Sequence, residues 1–320
     1  MQYIIDERHD GVLLRTYLTG HLGLSHRLLA RLKARPDGIL LEGIPVTVRA
    51  VLHQGDVLTL ATEDDESTPR GHIVPGNTLP DVLYEDDDIL VCNKPALMPT
   101  HPSHGHFDDT LANAVARYML DKTGEIGVFR PINRLDRNTS GIVLIAKHQV
   151  AAAKLSQAMQ EGRIQKQYLA LLEGTLPKRE GFIRASIRRA QESIITREIC
   201  PPDAPGAKEA ITHYRVIARY SLPGGFARTL VAARPITGRT HQLRLHFAHM
   251  GAPIVGDDMY GTSVPLKTPD HHILHAYALT FPHPRTGRAM TLVAPLSTVA
   301  RDLLPDHLAP HSDLNSTEDI

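Results

Sequence analysis

The 320-residue chain has two cysteines, Cys92 and Cys200, too few and too far apart for a disulfide framework or a cysteine-ligated metal. A reducing cytoplasm is the expected setting. No stretch is apolar for the ~18–20 residues that a membrane span requires, so no membrane partner is expected. Met1 to Arg8 has neither a basic leader nor a long apolar core, as a signal peptide would. A Gly-x-Gly-x-x-Gly or Walker-type loop is missing, which argues against a nucleotide cofactor, and so is a Gly-x-Ser-x-Gly nucleophile elbow. The 19 histidines do not compensate. His101, His104 and His106, and the adjacent His271 and His272, have no His-Glu-x-x-His run and no Cys pair beside them. His246 and His249 lie three apart on a helix without an evident third ligand. Neither a metal nor a cofactor is therefore expected.

A net charge of zero is a further absence, and at first it argues against a nucleic-acid partner. The distribution reverses that argument. Residues 130–250 carry 20 Lys and Arg against 8 Asp and Glu, whereas residues 63–89 carry 1 against 9 and residues 251–320 carry 4 against 8. A basic excess confined to one segment is a plausible polyanion footprint.

Residues 1–61 read as a small module with helices from Gly11 to Gly20 and from Ser25 to Arg35, the second opened by a Ser N-cap. Short strands follow at Ile39–Leu41, around Val46 and at Val57–Leu60. Residues 62–80, with an acidic cluster and then Pro69, Gly71, Pro75, Gly76 and Pro80, read as a linker. The polar residues 306–320 read as a flexible tail. Between them, 81–305 alternates strands (Ile89–Cys92, Ile142–Ala146, Tyr168–Leu172, Phe182–Ile187, Ile211–Ala218, Phe226–Ala232) with helices at Thr110 to Tyr118 and Gln149 to Glu161. The fold class is α+β, with a mixed, mainly antiparallel sheet and a small N-terminal α/β module.

The most informative run is Pro131 to Lys147, PINRLDRNTSGIVLIAK. It sets Asp136 between Arg134 and Arg137, ahead of a small-residue turn and a buried-looking apolar strand. Charge-assisted hydrogen bonds would keep such a carboxylate ionised. On those residues alone, a structural ion pair at a strand end is the commoner outcome. Thr139 and Ser140 are expected to close the turn through their hydroxyls. Thr237 to His246, TGRTHQLRLH, opens a helix that Thr240 can cap, with Leu243, Phe247 and Met250 on one side and Gly251 at its end. Arg244 and His241 fall on the other side, where Arg244 is free to meet a carboxylate or a phosphate. Tyr168 begins an apolar strand, and Lys166 points to the same face.

The whole string around Asp136 closely resembles the His-Arg-Leu-Asp-x-x-Thr-Ser-Gly signature of the RluA-type pseudouridine synthases. Further strings follow in that family's order: Asn93-Lys94-Pro95 with His101-Pro102-Ser103, Lys166-Gln167-Tyr168, Lys208 to Tyr214, the GRTHQLR string at 238–244, Gly256 to Gly261, and Leu274-His275-Ala276. Residues 1–61 resemble, in part, the alpha-L RNA-binding module often placed ahead of such synthases. The resemblance implies Asp136 as the catalytic residue, Arg244 as its ion-pair partner and Tyr168 as the active-site tyrosine. It also implies that Arg134 occupies the space left by a flipped uridine. Lys166, Arg239, His241, Arg27 and Arg31 are taken with Arg134 as RNA contacts. Asn133 departs from the family, which usually has His there; the amide keeps a donor and an acceptor but cannot become cationic. The implied activity is cofactor-free isomerisation of uridine in structured RNA, ribosomal RNA favoured over transfer RNA, by a chain favoured to be monomeric. The alternatives are an RNA-binding scaffold without turnover, and a glycosidic hydrolase, which would usually need two carboxylates.

Overall fold

In the computed structural model, residues 1–63, 73–193, 195–261 and 269–305 are described. The N-terminal module contains β1 (Gln2–Ile4), α1 (Leu14–Thr16) running into a π turn at Tyr17–His21, α2 (His26–Ala34), β2 (Ile39–Leu41), β3 (Ile44–Pro45) and β4 (Val57–Leu60). Ser25 caps α2 as expected, its hydroxyl accepting from the Leu28 N–H at 3.2 Å. The antiparallel sheet runs β1-β4-β2-β3. The three-residue β1 is too short to show a period and was not anticipated from the sequence.

The larger domain follows with β5 (Val82–Glu85), β6 (Ile89–Lys94), α3 (Leu111–Thr123), β7 (Ser140–Ala146), α4 (Gln149–Gln160), β8 (Gln165–Glu173), β9 (Glu180–Arg189), β10 (Arg197–Cys200), β11 (Lys208–Ser221) and β12 (Ala227–Pro235). The last elements are α5 (Gln242–His249), β13 (Leu274–Pro282), β14 (Ala289–Val293) and α6 (Thr298–Asp302). Ten strands form one sheet in the order β10-β9-β11-β12-β8-β13-β7-β6-β5, with β14 added to β13. Every pairing is antiparallel except β7 with β13. The α+β, mainly antiparallel expectation holds. What the sequence did not disclose are β5, β10, β14 and β13, the last being the strand that joins the two halves of the sheet.

Helices cover both faces. On one, Leu111 and Val115 of α3 and Leu243 and Phe247 of α5 pack with Leu90, Tyr168 and Leu172. On the other, Ala151, Leu155 and Ala158 of α4 pack with Val91, Leu144 and Phe281. Strand β7 lies between these layers with every residue buried, which is why it reads as an unbroken apolar run. The module rests on α4: Val150 enters its core, the Arg31 guanidinium donates to Gln149, and the Lys154 ammonium sits 4.9 Å from the Tyr3 ring centre.

The linker expectation needs correction at its C-terminal end. Residues 73–80 run against α3, with the Asn113 side-chain amide donating to Val74 O at 2.8 Å and the Gly76 N–H to Asn113 O at 3.0 Å. Residues 64–72, with most of the acidic cluster, and the expected tail 306–320 lie outside the described residues.

Gly141 sets the closest approach in the sheet. Its φ is +111°, and a Cβ there would meet the Ala276 backbone oxygen of β13 at 2.3 Å. A methyl group would have to push two central strands apart. Gly141→Ala is expected to cost more than about 2 kcal/mol, read as a lower urea midpoint at unchanged slope. A midpoint within error of the parent would show that the parallel contact can relax.

Candidate active site

Asp136 sits on a loop whose backbone is pinned on both sides. Before it, Leu135 N–H donates to the Thr100 hydroxyl oxygen at 3.2 Å, that hydroxyl donates to Leu135 O at 2.9 Å, and the Leu135 side chain is buried. After it, the fully buried Lys94 ammonium donates to Arg137 O at 3.2 Å and also to Pro95 O and Met98 O. All three ammonium protons thus have carbonyl acceptors, and the ammonium clips the 95–98 loop to the Asp136 loop. Burial pushes the Lys94 ammonium down to about 7, with the Asp136 carboxylate opposing. Asn133 ties the start of the loop to β7: its amide donates to Ile142 O and its carbonyl accepts from Leu144 N–H, both at 2.9 Å. The donor and the acceptor expected of Asn133 therefore both serve as a backbone substitute along a strand edge.

The Asp136 carboxylate, 28% exposed, faces a cavity of about 260 Å³. Arg134, Lys166, Tyr168, Arg239, His241 and Arg244 line the same cavity. Tyr168 is buried in β8 between β12 and β13, and burial, then the Asp136 charge, pushes its phenol well above the usual range. Two residues earlier, Lys166 shares its face, and burial pushes its ammonium down. Arg134 is exposed at the rim, and Arg239 is exposed with its Nε–H donated to Glu209 O at 3.0 Å. The cavity thus combines one carboxylate, an aromatic wall and a ring of cations.

Arg244 does not pair with Asp136, which corrects the expected ion pair. Its guanidinium makes a fork to Asp257, Nε–H to Oδ2 and Nη2–H to Oδ1 at 2.7 Å each, and reaches Asp258 at 3.0 Å. Burial works against the Asp257 charge, but the bonds from Arg244 outweigh it and hold the carboxyl below the usual range. Met259 N–H and Tyr260 N–H donate to the same carboxylate at 3.0 Å each. The cation nearest Asp136 is a different one if protonated, His241, whose Nε2 lies 3.9 Å from Oδ2. Thr240 does not cap α5. His241 is the N-cap, in the left-handed region at φ +58° and without a side-chain cap. Gln242 does the tying instead, accepting from the Thr237 hydroxyl and Arg239 N–H and donating to Ile211 O and Thr212 Oγ1.

Thr139 and Ser140 also differ from expectation. Only the Thr139 backbone closes the turn, donating to Asp136 O at 3.1 Å. Their hydroxyls instead reach across the sheet to buried histidines, Thr139 to His272 Nε2 at 2.7 Å and Ser140 to His275 Nδ1 at 2.8 Å. Arg27 is exposed on the module, whereas Arg31 is half-buried in the seam against α4, away from the Asp136 cavity. Among the described residues, two groups have metal-like spacing, Asp86-Asp88-His283 and Asp257-Asp258-His272. Each has an arginine on its carboxylates, Arg285 on Asp88 and Arg244 on Asp257 and Asp258. No helix among the described residues is long and apolar enough to cross a membrane.

Sequence reasoning missed Lys94, Asp257 and Tyr260 as parts of this site, although each stood in a string that had been singled out. A family model described as RNA pseudouridylate synthase matches residues 88–249. The protein of Bacillus subtilis described as uncharacterized RNA pseudouridine synthase YjbO is 35% identical over 279 residues, covering 87% of this chain and 93% of that protein. Ribosomal large subunit pseudouridine synthase D of Xylella fastidiosa is 34% identical, covering 81% of this chain and 77% of that protein. Among solved structures, human RNA pseudouridylate synthase domain containing 1 is similar with a TM-score of 0.56 at 29% identity, covering 69% of this chain and 86% of that one.

Proposed function

The chain belongs to the RNA pseudouridylate synthase family and is an RNA pseudouridine synthase, an isomerase; from that premise we propose that it acts on uridines of ribosomal RNA with Asp136 as the catalytic carboxylate. The observation that carries the assignment of Asp136 is its position: the carboxylate faces the cavity while its loop is anchored on both sides.

The isomerisation breaks the bond from ribose C1′ to uracil N1, turns the base, and rejoins it through C5, whose hydrogen leaves as a proton. Asp136 serves either by attacking the substrate covalently or by removing a ribose proton; both routes need an ionised carboxylate facing the sugar. A base taken out of its stack costs a few kcal/mol and needs a face to rest on, which Tyr168 supplies. Lys166 and Arg239 hold phosphates around it and Arg134 fills the space the base leaves, so binding weakens as salt rises. The preference for ribosomal RNA rests on the Xylella relative, whose name states a large-subunit substrate.

Tritium release from RNA transcribed with 5-tritiated uridine tests this, because joining the sugar at C5 expels the label while binding or hydrolysis does not. Release from large-subunit ribosomal RNA and none from transfer RNA is the expected result. Release from transfer RNA alone would overturn the substrate assignment.

A further inference from the structure

His241 is held in an unusual way for a residue assigned only to RNA contact. Its backbone is left-handed, φ +58° and ψ +19°, at the N-cap of α5, a conformation that is strained for most side chains. The residue lines the cavity that Asp136 faces. The ring has two defined neighbours: Nδ1 lies 2.8 Å from the Tyr260 hydroxyl, and Nε2 lies 3.9 Å from Asp136 Oδ2. The Tyr260 hydroxyl already accepts from the Arg197 N–H at 2.9 Å, so its single proton is available for Nδ1. Tyr260 is itself fixed, with its N–H on Asp257 and the Arg244 guanidinium 5.1 Å from its ring centre.

The surroundings favour the neutral ring. Burial is the largest cause, pulling the imidazole below its ordinary value, with Arg244 and Arg197 adding to it and Asp136 and Asp257 opposing. A neutral imidazole has one N–H. If Nδ1 accepts from Tyr260, the proton sits on Nε2, on the side of Asp136.

We infer that His241 is a positioning residue for Asp136, presenting Nε2–H to its carboxylate, and that Tyr260 fixes this tautomer. At 3.9 Å the contact is short of a hydrogen bond; a movement of about 1 Å on substrate binding makes it one. Arg244 then has an indirect role, holding Asp257 and Tyr260, which hold His241. The relay gives Asp136 an oriented donor in addition to the Lys94 and Arg244 charges that act on it through space. The inference rests on Asp136 being the catalytic carboxylate, and its test is separable from that assignment.

Long-range proton–nitrogen NMR on the full-length protein labelled with ¹⁵N-histidine reads the tautomer, with the His241 signals identified by their loss in His241→Gln. The wild type is expected to show the proton on Nε2, and Tyr260→Phe is expected to shift it towards Nδ1. Activity supplies the second readout. Gln places an amide donor near the Nε2 position, whereas Asn, the better fit to a left-handed backbone, falls short of it. Asn is therefore expected to lose up to roughly 100-fold in kcat, and Gln less, with KM for RNA held in both. A wild-type spectrum with the proton on Nδ1, or Asn retaining as much kcat as Gln, would overturn the inference. Either result could stand beside an inactive Asp136→Asn, so the assignment of Asp136 fails only on its own test.

Discussion

Asp136→Asn is expected to cut tritium release by roughly 10³–10⁶-fold, the range seen when the central group of a catalytic constellation is removed. Asparagine keeps the shape of the side chain but has neither the charge to attack carbon nor the basicity to remove a proton. The fold should hardly notice. The loop is fixed by the backbone of Leu135 and Arg137, and the nearest ionisable partner of the carboxylate is 3.9 Å away. Stability should therefore move by no more than about 0.5 kcal/mol. RNA affinity, measured by filter binding, should be equal or slightly tighter, since one negative charge leaves a cationic cleft. A variant that still releases tritium at a tenth of the wild-type rate would remove Asp136 from the chemistry.

Arg244→Ala carries the second large effect, and it should register first as lost stability. The Arg244 side chain is 4% exposed and Asp257 is 0% exposed, so truncation leaves a buried carboxylate without its cation. Breaking such a pair costs about 3–5 kcal/mol. For a chain of 320 residues that is a fall in Tm of roughly 4–8 °C. Arg244→Lys should recover only part of it, because a point charge cannot supply the two parallel bonds of the fork. The pH dependence has a defined sign. In the wild type Asp257 is held below its unfolded value, so its contribution is full above that value and is lost as pH falls through the folded one. In Arg244→Ala burial is opposed only by the Met259 and Tyr260 N–H groups, so the carboxyl rises, and acidification protonates it and relieves the penalty. The gap in Tm between the two proteins should narrow as pH falls from 7 towards 4. A constant gap would mean that Asp257 is not the group left exposed by the change.

Local pattern placed Asp136 at a turn before a core strand and Tyr168 and Lys166 on one face of another, which is where they meet at the cavity, while their site roles came only from the family resemblance. The partner of Arg244 was not, because helical geometry states which side a residue faces but not what stands opposite. Asp257, 13 residues on and beside a second aspartate, is selected by the turn that aims its carboxylate inward. Lys94 sits at what the sequence shows only as a break before Pro95, and its three carbonyl acceptors come from residues with no side-chain signal. Strand β13 escaped because the string Leu274-His275-Ala276 reads as a motif, while its buried histidine is satisfied by hydrogen bonds with Ser140 Oγ and Ala294 O. Asn133 shows the reverse case. Its hydrogen-bonding capacity was read correctly, but its use along the β7 edge needed the tertiary structure.

The contacts of Thr139 and Ser140 with His272 and His275 span 133 and 135 residues of chain, and β7 meets β13 in the same place. Translation therefore makes the Asp136 loop early and its support late. A ribosome-bound chain ending before residue 270 already displays most of the basic segment, yet lacks the strand that completes the sheet beneath the carboxylate. A chain lacking residues 274–282 would therefore lack the support of the Asp136 loop even with the basic segment complete.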